Sequence, residues 1–283
     1  MKQKLSVIIE LILSKSQKTN MLGFILAVLF VLSGLSNTQG QVKTKHLLND
    51  SLKEISGMEI LNDSTFVALN DGGDEARIYL IKKNGELIRS VIVENASNKD
   101  WEDLTTDGTH IYIADVGNNQ NKRKKLKIYK VKISDIESKS RVTAEKINFS
   151  YQDQKSYPPN EDSLYYDCEG ISYFNDSIWL FTKPNTKPWE GNSFVYKVPI
   201  KPGKYQLEKD SEVFIGDNGW WADAITAVDF YNGKHYLLTY NRLMIGTFTN
   251  GEFTILKTIK FKSLSQKESI VVINDKTVFI ADE

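Results

Sequence analysis

The chain has 283 residues and no net charge, because 36 Lys and Arg residues balance 36 Asp and Glu residues. A nucleic-acid-binding protein usually carries a basic excess, so this balance argues against a nucleic-acid polymer as partner. Hydrophobic residues make up 41% and aromatic residues 11%, which is enough for a large core of strand-forming side chains. The single cysteine, Cys168, excludes an intrachain disulfide, and the spacing of the three histidines fits no zinc motif.

The first 40 residues have the composition of an export signal. Lys15 and Lys18 precede the apolar run MLGFILAVLFVLSGL at 21–35, and small residues follow up to Gly40. This pattern predicts a secretory signal peptide that is cut near Gly40, which leaves 41–283 as a single exported domain. The run is short for a membrane span, which needs about 20 apolar residues, but an N-terminal anchor is the alternative. We therefore expect a protein of the periplasm, cell surface or medium, with no membrane span after cleavage.

A pattern of two short apolar strands joined by a turn occurs five times along the chain. Dipeptides typical of hairpin turns, such as Asn-Asp, Asp-Gly and Asn-Gly, stand in the middle of these units. The units are EISGMEILNDSTFVALNDGG (54–73), WEDLTTDGTHIYIADVGNN (101–119), YYDCEGISYFNDSIWLFTK (165–183), AITAVDFYNGKHYLLTYNR (224–242) and KESIVVINDKTVFIADE (267–283). A third strand follows four of them, at 76–83, 126–133, 193–200 and 242–248, and then a fourth, at 86–94, 146–153, 212–217 and 252–261. Repeated four-stranded antiparallel units are typical of β-propeller blades.

The predicted fold class is therefore all-β, a β-propeller of five four-stranded blades. The last unit ends after two strands, and KTKHLL at 43–48 is left over before the first unit. We expect 43–48 to join the last blade as its outer strand, which closes the ring and removes exposed sheet edges. Six blades, with a divergent unit in 154–166, and two separate β-domains are the alternatives.

An oxygen-bearing side chain stands at the head of the first strand in every unit. The aligned positions are Ser56, Glu102, Glu169, Thr226 and Glu268. Because the innermost strand of a blade runs along the central channel, we expect these side chains to meet at the channel mouth. Three carboxylates in one narrow ring repel one another unless some are protonated or a cation lies among them. An all-oxygen set favours Ca²⁺ over zinc or copper, whereas simple capping of the strands is the alternative.

The loops after the second strands should lie on the same rim, because two strands of equal length return the chain to its starting height. They are rich in Asp, Asn, Lys, Arg and Trp, and such a rim is the usual place for a ligand. The candidates for ligand contact are Trp101, Asn118, Asn119 and Trp221. The candidates for catalysis are Asp100, Asp115 and Asp167 as proton acceptors, with Lys183 and Arg242 neutralising negative charge.

The order Ser, Glu, Glu, Thr, Glu at the five heads resembles the soluble calcium-activated nucleotidases, or apyrases. SGMEI, CEGI and KESI also look like the blade openings of that family. The resemblance implies a five-bladed propeller with one Ca²⁺ in the channel, held by Ser56, Glu102, Glu169, Thr226 and Glu268. The arginine-rich stretch with which that family handles phosphate is replaced here by FTKPNTKPW, which holds lysines but no arginine. DWEDL, YIADVGNN and YYDCEG are similar to exported propeller proteins of unknown activity.

Two functions fit these residues, and the sequence leaves both open. The first is a calcium-dependent hydrolase that acts on a phosphoanhydride or phosphoester. The second is a non-catalytic propeller whose Ca²⁺ only holds the blades together while the channel mouth binds a small molecule, a glycan or a peptide. We expect a monomer in either case.

Overall fold

The computed structural model describes residues 7–13, 37–39 and 41–282, which form five sheets and two short α-helices. The first half of the chain contains β1 (Val7–Ile12), β2 (Asn37–Gln39), β3 (Gln41–Leu47), β4 (Ile55–Asn62), β5 (Thr65–Asn70), β6 (Arg77–Lys82), β7 (Leu87–Val93), β8 (Trp101–Thr106), β9 (His110–Asp115), β10 (Leu126–Lys132), α1 (Ile133–Ser138), β11 (Arg141–Val142) and β12 (Glu145–Tyr151). The second half contains β13 (Cys168–Phe174), β14 (Ser177–Thr182), β15 (Asn192–Pro199), β16 (Gly203–Leu207), β17 (Lys209–Phe214), α2 (Trp220–Asp223), β18 (Ile225–Tyr231), β19 (Lys234–Thr239), β20 (Arg242–Thr249), β21 (Glu252–Lys260), β22 (Lys267–Asn274) and β23 (Thr277–Asp282).

The sheets are the five blades of a β-propeller, as the repeats predict. From the inner to the outer edge, blade 1 is β4-β5-β6-β7, blade 2 is β8-β9-β10-β12, blade 3 is β13-β14-β15-β17, blade 4 is β18-β19-β20-β21 and blade 5 is β22-β23-β1-β3. Each inner strand lies against the inner strands of both neighbouring blades, and β22 lies against β4. The ring is therefore closed, which excludes two separate domains. Residues 154–166 contain a 3₁₀ turn but no strand, which excludes a sixth blade there.

The turn residues explain where the hairpins reverse. Asn232 and Gly233 join β18 to β19 with φ of 48° and 76°, and Asn250 and Gly251 join β20 to β21 with φ of 53° and 82°. Two consecutive residues with positive φ define the turn whose twist matches that of the flanking strands. Asn and Gly are the residues that adopt this conformation most readily, so the turn predicted at Asn232-Gly233 is confirmed.

Blade 5 is closed by the N-terminal part of the chain. The prediction that 43–48 supplies the outer strand is confirmed, because β3 lies at the outer edge of this blade. Its third strand was not predicted: β1 lies between β23 and β3 and pairs antiparallel with both. The fold thus includes Val7–Ile12, which lie within the segment 1–40 that the sequence analysis set apart from it. Cleavage near Gly40 stays a prediction, and the apolar run at 21–35 lies outside the described residues.

Three blades carry an additional parallel strand at the outer edge. Strand β11 pairs with β7 of blade 1, β16 with β12 of blade 2, and β2 with β21 of blade 4. Each of these strands belongs to the connection between the third and fourth strands of the following blade, and it covers an edge that would otherwise be open. Strand β2 lies in sequence between β1 and β3, the third and fourth strands of blade 5. Blade 5 therefore lends an edge strand to the preceding blade, as blades 2 and 3 do. These edge strands were not predicted from the sequence.

The core consists of apolar clusters between neighbouring blades. One such cluster packs Leu69 and Ile78 of blade 1 against Leu104 and Ile113 of blade 2, with Trp101 beside them. Equivalent clusters lie between the other pairs of neighbouring blades, including blades 5 and 1. Since both faces of the inner strands are covered, these strands are nearly continuous runs of buried residues. None of the helices in the described part of the chain is long and apolar enough to cross a membrane.

Candidate metal centre and channel mouth

The five residues at the heads of the inner strands occupy one structural position. In blade 1, Ile55 pairs with Asn70 and Gly57 pairs with Leu69, so Ser56 is the extra residue of a β-bulge. The equivalent register shift in the other blades leaves Glu102, Glu169, Thr226 and Glu268 as the extra residues. A bulge re-aims a side chain out of the regular alternation of a strand and is common next to functional sites. The alignment of the repeats therefore identified five equivalent positions, although the bulge itself was not predicted.

Three carboxylates meet where blades 2 and 3 adjoin. Oxygen atoms of Glu102, Asp167 and Glu169 lie within 4.8 Å of one another, and each residue is 6% exposed or less. Burial raises the pKa of Glu102 well above its ordinary value, and the charges of Glu169 and Asp71 raise it further. Burial and the charge of Glu169 raise the pKa of Asp167 in the same way. These shifts arise because carboxylates that are close together and out of water favour their neutral form.

Two further acids extend this group toward blade 1. Oxygen atoms of Asp71 and Asp100 lie within 4.8 Å of each other and of Glu102. Burial and the charge of Asp71 raise the pKa of Asp100 to about 6, although the charge of Arg123 opposes them. Asp71 follows β5, in a loop that the sequence analysis placed on this rim without selecting the residue. The available signal was its position in the loop sequence NDGGDEA, but the other acids of that loop were equally plausible as members of the site.

Lys183 is the cation that the chain itself supplies to this centre. Its Nζ lies 3.1 Å from Glu169 Oε2, with both side chains 6% exposed. Burial lowers the pKa of Lys183, but the charges of Glu169 and Glu268 outweigh this and raise the pKa well above its ordinary value. The ammonium also lies over the ring of Trp220, 4.8 Å from the centroid. Lys183 is therefore a fixed positive charge beside the acids of blades 3 and 5.

The two hydroxyl residues of the ring connect neighbouring blades. Ser56 Oγ donates a hydrogen bond of 2.8 Å to the carbonyl oxygen of Trp101, at the head of the next inner strand. Thr226 Oγ1 donates one of 2.5 Å to the carbonyl oxygen of Lys267. Each hydroxyl proton is thus used within the protein, and the hydroxyl oxygens retain lone pairs. This structural role of the two hydroxyls was not predicted from the sequence.

The donor set at the channel mouth fits a hard divalent cation. All of the candidate ligands offer oxygen, which suits Ca²⁺, Mg²⁺ or Mn²⁺ better than softer metals. Glu102 accepts no hydrogen bond from any residue that the structure describes, although it is 6% exposed. A buried acceptor without a partner is unfavourable, and a bound cation would satisfy it.

Asp115 and Asn118 hold the loop after β9 in place. Asp115 is fully buried, and Arg123 Nη2 donates to its Oδ1 at 2.7 Å. The backbone N–H of Asn118 donates to Asp167 Oδ1 at 2.6 Å, while its side chain donates to the carbonyl oxygen of Tyr166. The polar groups of Asn118 are therefore engaged within the protein, whereas Asp115 Oδ2 is buried without a hydrogen-bond partner among the described residues. Asn119, the next residue, is exposed.

Trp221 lies on the surface of this rim, whereas Trp101 lies inside the protein. Trp221 is 64% exposed and packs against Trp220, with ring centroids 4.9 Å apart. Trp101 is fully buried, and its Nε1 donates to the carbonyl oxygen of Ser97. The structure thus leaves Trp221 accessible to a ligand and places Trp101 in packing between blades.

Arg242 is held by an ion pair. Its Nη1 donates to Asp223 Oδ1 at 2.5 Å, and Nη2 donates to the carbonyl oxygen of Ile215. Asp223 is fully buried and ends α2, the helix that carries Trp220 and Trp221. Arg242 therefore fixes the helix that presents the two tryptophans.

A second group of acids lies further along the inner strands and was missed by the sequence analysis. Burial raises the pKa of Glu59 and Asp103 well above their ordinary values, and it raises that of Asp229 to about 7. Asp103 accepts the backbone N–H of Ile171 at 2.8 Å, and Asp229 accepts that of Val272 at 2.6 Å. The available signal was an acid inside an apolar strand, as in SGMEI and TAVDF. These carboxyls link the inner strands of neighbouring blades.

Comparison with known proteins finds only distant structural matches. No protein-family model and no curated protein matches the chain. Among solved structures, a glutaminyl cyclase of Myxococcus xanthus matches at 11% identity and a TM-score of 0.48, covering 81% of this chain and 89% of its own. A nidogen/laminin complex matches at 10% identity and a TM-score of 0.48, with coverage of 96% and 84%. The chain is a five-bladed β-propeller by its own topology, and its resemblance to the calcium-activated nucleotidases stays a prediction.

Proposed function

We propose that this propeller is a calcium-dependent hydrolase that acts on a phosphoanhydride or phosphoester at the mouth of its channel. The observation that carries the proposal is the buried convergence of Glu102, Asp167 and Glu169, together with the absence of a hydrogen-bond donor to Glu102 among the described residues. Glu102, Asp167 and Glu169 would hold the cation, with the remaining bulge residues around it. Bound Ca²⁺ would polarise a phosphoryl oxygen and neutralise its charge.

The chain's own residues supply the other functions that hydrolysis needs. Burial and the charge of Asp71 raise the pKa of Asp100 to about 6, and this carboxylate would accept a proton from water. Lys183 remains an ammonium and supplies fixed positive charge beside the acids. Trp221 is the exposed ring that a ligand meets on the rim. Asp115 and Arg242, which are engaged with Arg123 and Asp223, act by positioning the loop after β9 and the helix α2.

A non-catalytic binding propeller is the second candidate, and one observation favours it. Of the five residues considered for catalysis, Asp115, Arg242 and Lys183 are each in an ion pair within the protein. In that case Ca²⁺ would hold blades 2 and 3 together, and the mouth would bind a small molecule, a glycan or a peptide. For either function we propose an exported monomer.

Turnover assays with the purified full-length chain test this proposal. We expect release of phosphate from a nucleoside diphosphate or from p-nitrophenyl phosphate with Ca²⁺, and none with EDTA. Glu102→Gln should reduce turnover by at least about 100-fold, because loss of a single ligand or stabilising group commonly has an effect of that size. Glu86→Gln is the matched control, since Glu86 is exposed and pairs with Lys82.

Melting curves recorded on the same samples separate the two functions. A rise in Tm with Ca²⁺ that Glu102→Gln abolishes, without turnover of either substrate, would favour the binding propeller. If Ca²⁺ changes neither Tm nor turnover, the central cation itself is contradicted, because a ligand that binds the folded state must stabilise it.

A further inference from the structure

We propose that a second hard divalent cation binds beside the central one, between Asp71 and Asp100, and that Glu102 is shared by the two sites. The inference rests on the proposed function only for the first ion, and it makes Asp100 a metal ligand in place of a proton acceptor. The first site uses Glu102, Asp167 and Glu169, and the second uses Asp71, Asp100 and Glu102, so that Glu102 belongs to both groups. Two hard cations that share a carboxylate are a common arrangement in enzymes that cleave phosphoesters.

Blades 1 and 2 supply the ligands of the second site, and hydrogen bonds to the backbone hold these ligand residues in place. Asp71 comes from blade 1, where its N–H donates to the carbonyl oxygen of Glu54 at 2.9 Å. The side chain of Asn98 donates to the carbonyl oxygen of Asp71 at 2.8 Å, which joins this loop to the segment before blade 2. Asp100 accepts at its carbonyl oxygen the N–H of Gly117, at 3.1 Å. The three carboxyl groups are therefore brought together by backbone that is fixed on both sides.

The surroundings of Glu102 and Asn70 also indicate that an ion belongs here. It is 6% exposed, and no described residue donates a hydrogen bond to its carboxylate. Asn70, the residue before Asp71, is also 6% exposed, and its Oδ1 has no hydrogen-bond partner among the described residues. Buried oxygens without donors are what an oxygen-coordinated cation satisfies.

The backbone around the site leaves room for the ligands. A Cβ atom at Gly117 would clash with Glu102 Oε1 and lie 2.5 Å from Asp100 Oδ2. At Gly72, a Cβ atom would lie 2.9 Å from Asp100 Oδ1. Asp71, Gly72 and Asn70 line a cavity of about 430 Å³ that opens to solvent, so an ion and its remaining water ligands can reach Asp71.

Charge favours two ions over one. Six carboxyl groups belong to the two groups or to the ring, namely Asp71, Asp100, Glu102, Asp167, Glu169 and Glu268. Lys183 lies beside Glu169, and Arg123 is paired with Asp115, which is outside this set. With all six ionised, Lys183 and one divalent cation leave a net charge of −3, and a second cation reduces it to −1. Without the cations, some of the six remain protonated.

The number of bound ions tests the proposal. Equilibrium dialysis of the full-length chain against Ca²⁺ should give two ions per chain. Asp71→Asn and Glu169→Gln should each reduce this to one, and Glu102→Gln should weaken both sites by at least 10-fold. Asp50→Asn is the matched control, because Asp50 lines the same cavity but belongs to neither group. Far-ultraviolet circular dichroism checks that each variant is folded, and Asp100→Asn replaces Asp71→Asn if that variant is not.

The two proposals fail in different ways. If Asp71→Asn and Asp100→Asn bind as many ions as the wild type, the second site is wrong and the two acids only share a proton. If Asp71→Asn loses one ion while Glu169→Gln loses none, the second site stands and the central one is contradicted. Wild-type binding of a single ion that Glu169→Gln removes would also overturn the second site.

Discussion

Lys183 is the residue that most changes the electrostatics of the channel mouth. Its ammonium lies 3.1 Å from Glu169 Oε2, and both side chains are removed from water. Attraction within such a buried pair offsets the desolvation of the two charges, so each partner depends on the other. A cation on the chain can thus neutralise one side of the acid ring before any metal binds.

Replacing Lys183 with methionine should destabilise the protein and increase its dependence on Ca²⁺. The variant leaves Glu169 buried without its partner, which typically costs about 3–5 kcal/mol of the free energy of unfolding. We expect a lower Tm in EDTA and a larger rise in Tm with Ca²⁺ than in the wild type. Lys187→Met is the control, because Lys187 is exposed and pairs with Glu161 at the surface. Equal melting of both variants would show that Lys183 does not support the acids.

His235 is a buried histidine whose ring nitrogens have no hydrogen-bond partner among the described residues. It is 2% exposed and lies among aromatic rings, with the centroids of Phe230, Trp179 and Phe248 at 4.8, 5.0 and 5.2 Å. Burial lowers its pKa to about 3 from an ordinary value of 6.5. The folded protein therefore holds a neutral imidazole at pH values where the unfolded chain takes up a proton.

His235→Phe should raise the stability and reduce its loss in acid. Replacing two unpaired polar atoms by an apolar ring of similar size should add roughly 1–2 kcal/mol to the free energy of unfolding. Since the pKa is lowered on folding, this histidine takes away about 1.4 kcal/mol per pH unit as the pH falls from 6.5 to 3. Urea unfolding at pH 7 and pH 5 measures both effects, with His46→Phe as control. A variant with unchanged pH dependence would contradict the lowered pKa.

At the scale of single elements, the bulge of each inner strand is the device that builds the site. The bulge leaves one residue per blade outside the pairing of the first and second strands. It places this residue at the equivalent position in every blade, next to the loop that follows the second strand. In blade 2 that loop contains Gly117, whose missing side chain admits Glu102 and Asp100. The geometry of the acids thus depends on strand and loop together.

Gly117→Ala should disturb the acids without altering any of them. The added methyl group meets Glu102 and Asp100, and neither carboxylate can move freely because both are partly or fully buried. We expect a loss of about 1–3 kcal/mol of stability, as in other overpacked sites, and a smaller rise in Tm with Ca²⁺. Gly203→Ala is the control, since a Cβ atom there meets only the Tyr205 side chain, at 3.1 Å. An unchanged response to Ca²⁺ would show that this loop does not shape the site.

The whole molecule is a ring, and blade 5 closes it with strands from both ends of the described chain. Strand β1 fills the third place of this blade and contributes the buried Leu11, with Leu13 directly after it. The extra edge strand β2 repeats the arrangement seen with β11 and β16. The N-terminal segment therefore takes part in the fold in the same way as the corresponding segments of blades 2 and 3.

Removal of residues 1–40 should lower the Tm of the protein. The truncation removes β1 and the two buried leucines Leu11 and Leu13, each worth about 2 kcal/mol, which corresponds to a decrease in Tm of roughly 10 °C. Removal of residues 1–6 alone is the control, because it keeps β1. Melting of the three chains measures the difference. If the chain of residues 41–283 melts like the full chain, β3 can take the third place itself, and the predicted cleavage leaves a complete domain.

The propeller, its five blades and the five equivalent positions at the strand heads could all be predicted from the residue pattern. Hairpin turns and alternating apolar strands are local features, and repetition makes equivalent residues recognisable. Which polar groups meet became known from the folded structure alone. The addition of Asp71 to the acids, the pairing of Lys183 with Glu169, the engagement of Asp115 and Arg242, and the place of β1 all depend on contacts between segments far apart in the chain. Such contacts are set by blade packing and bulge geometry, which no local pattern of residues encodes.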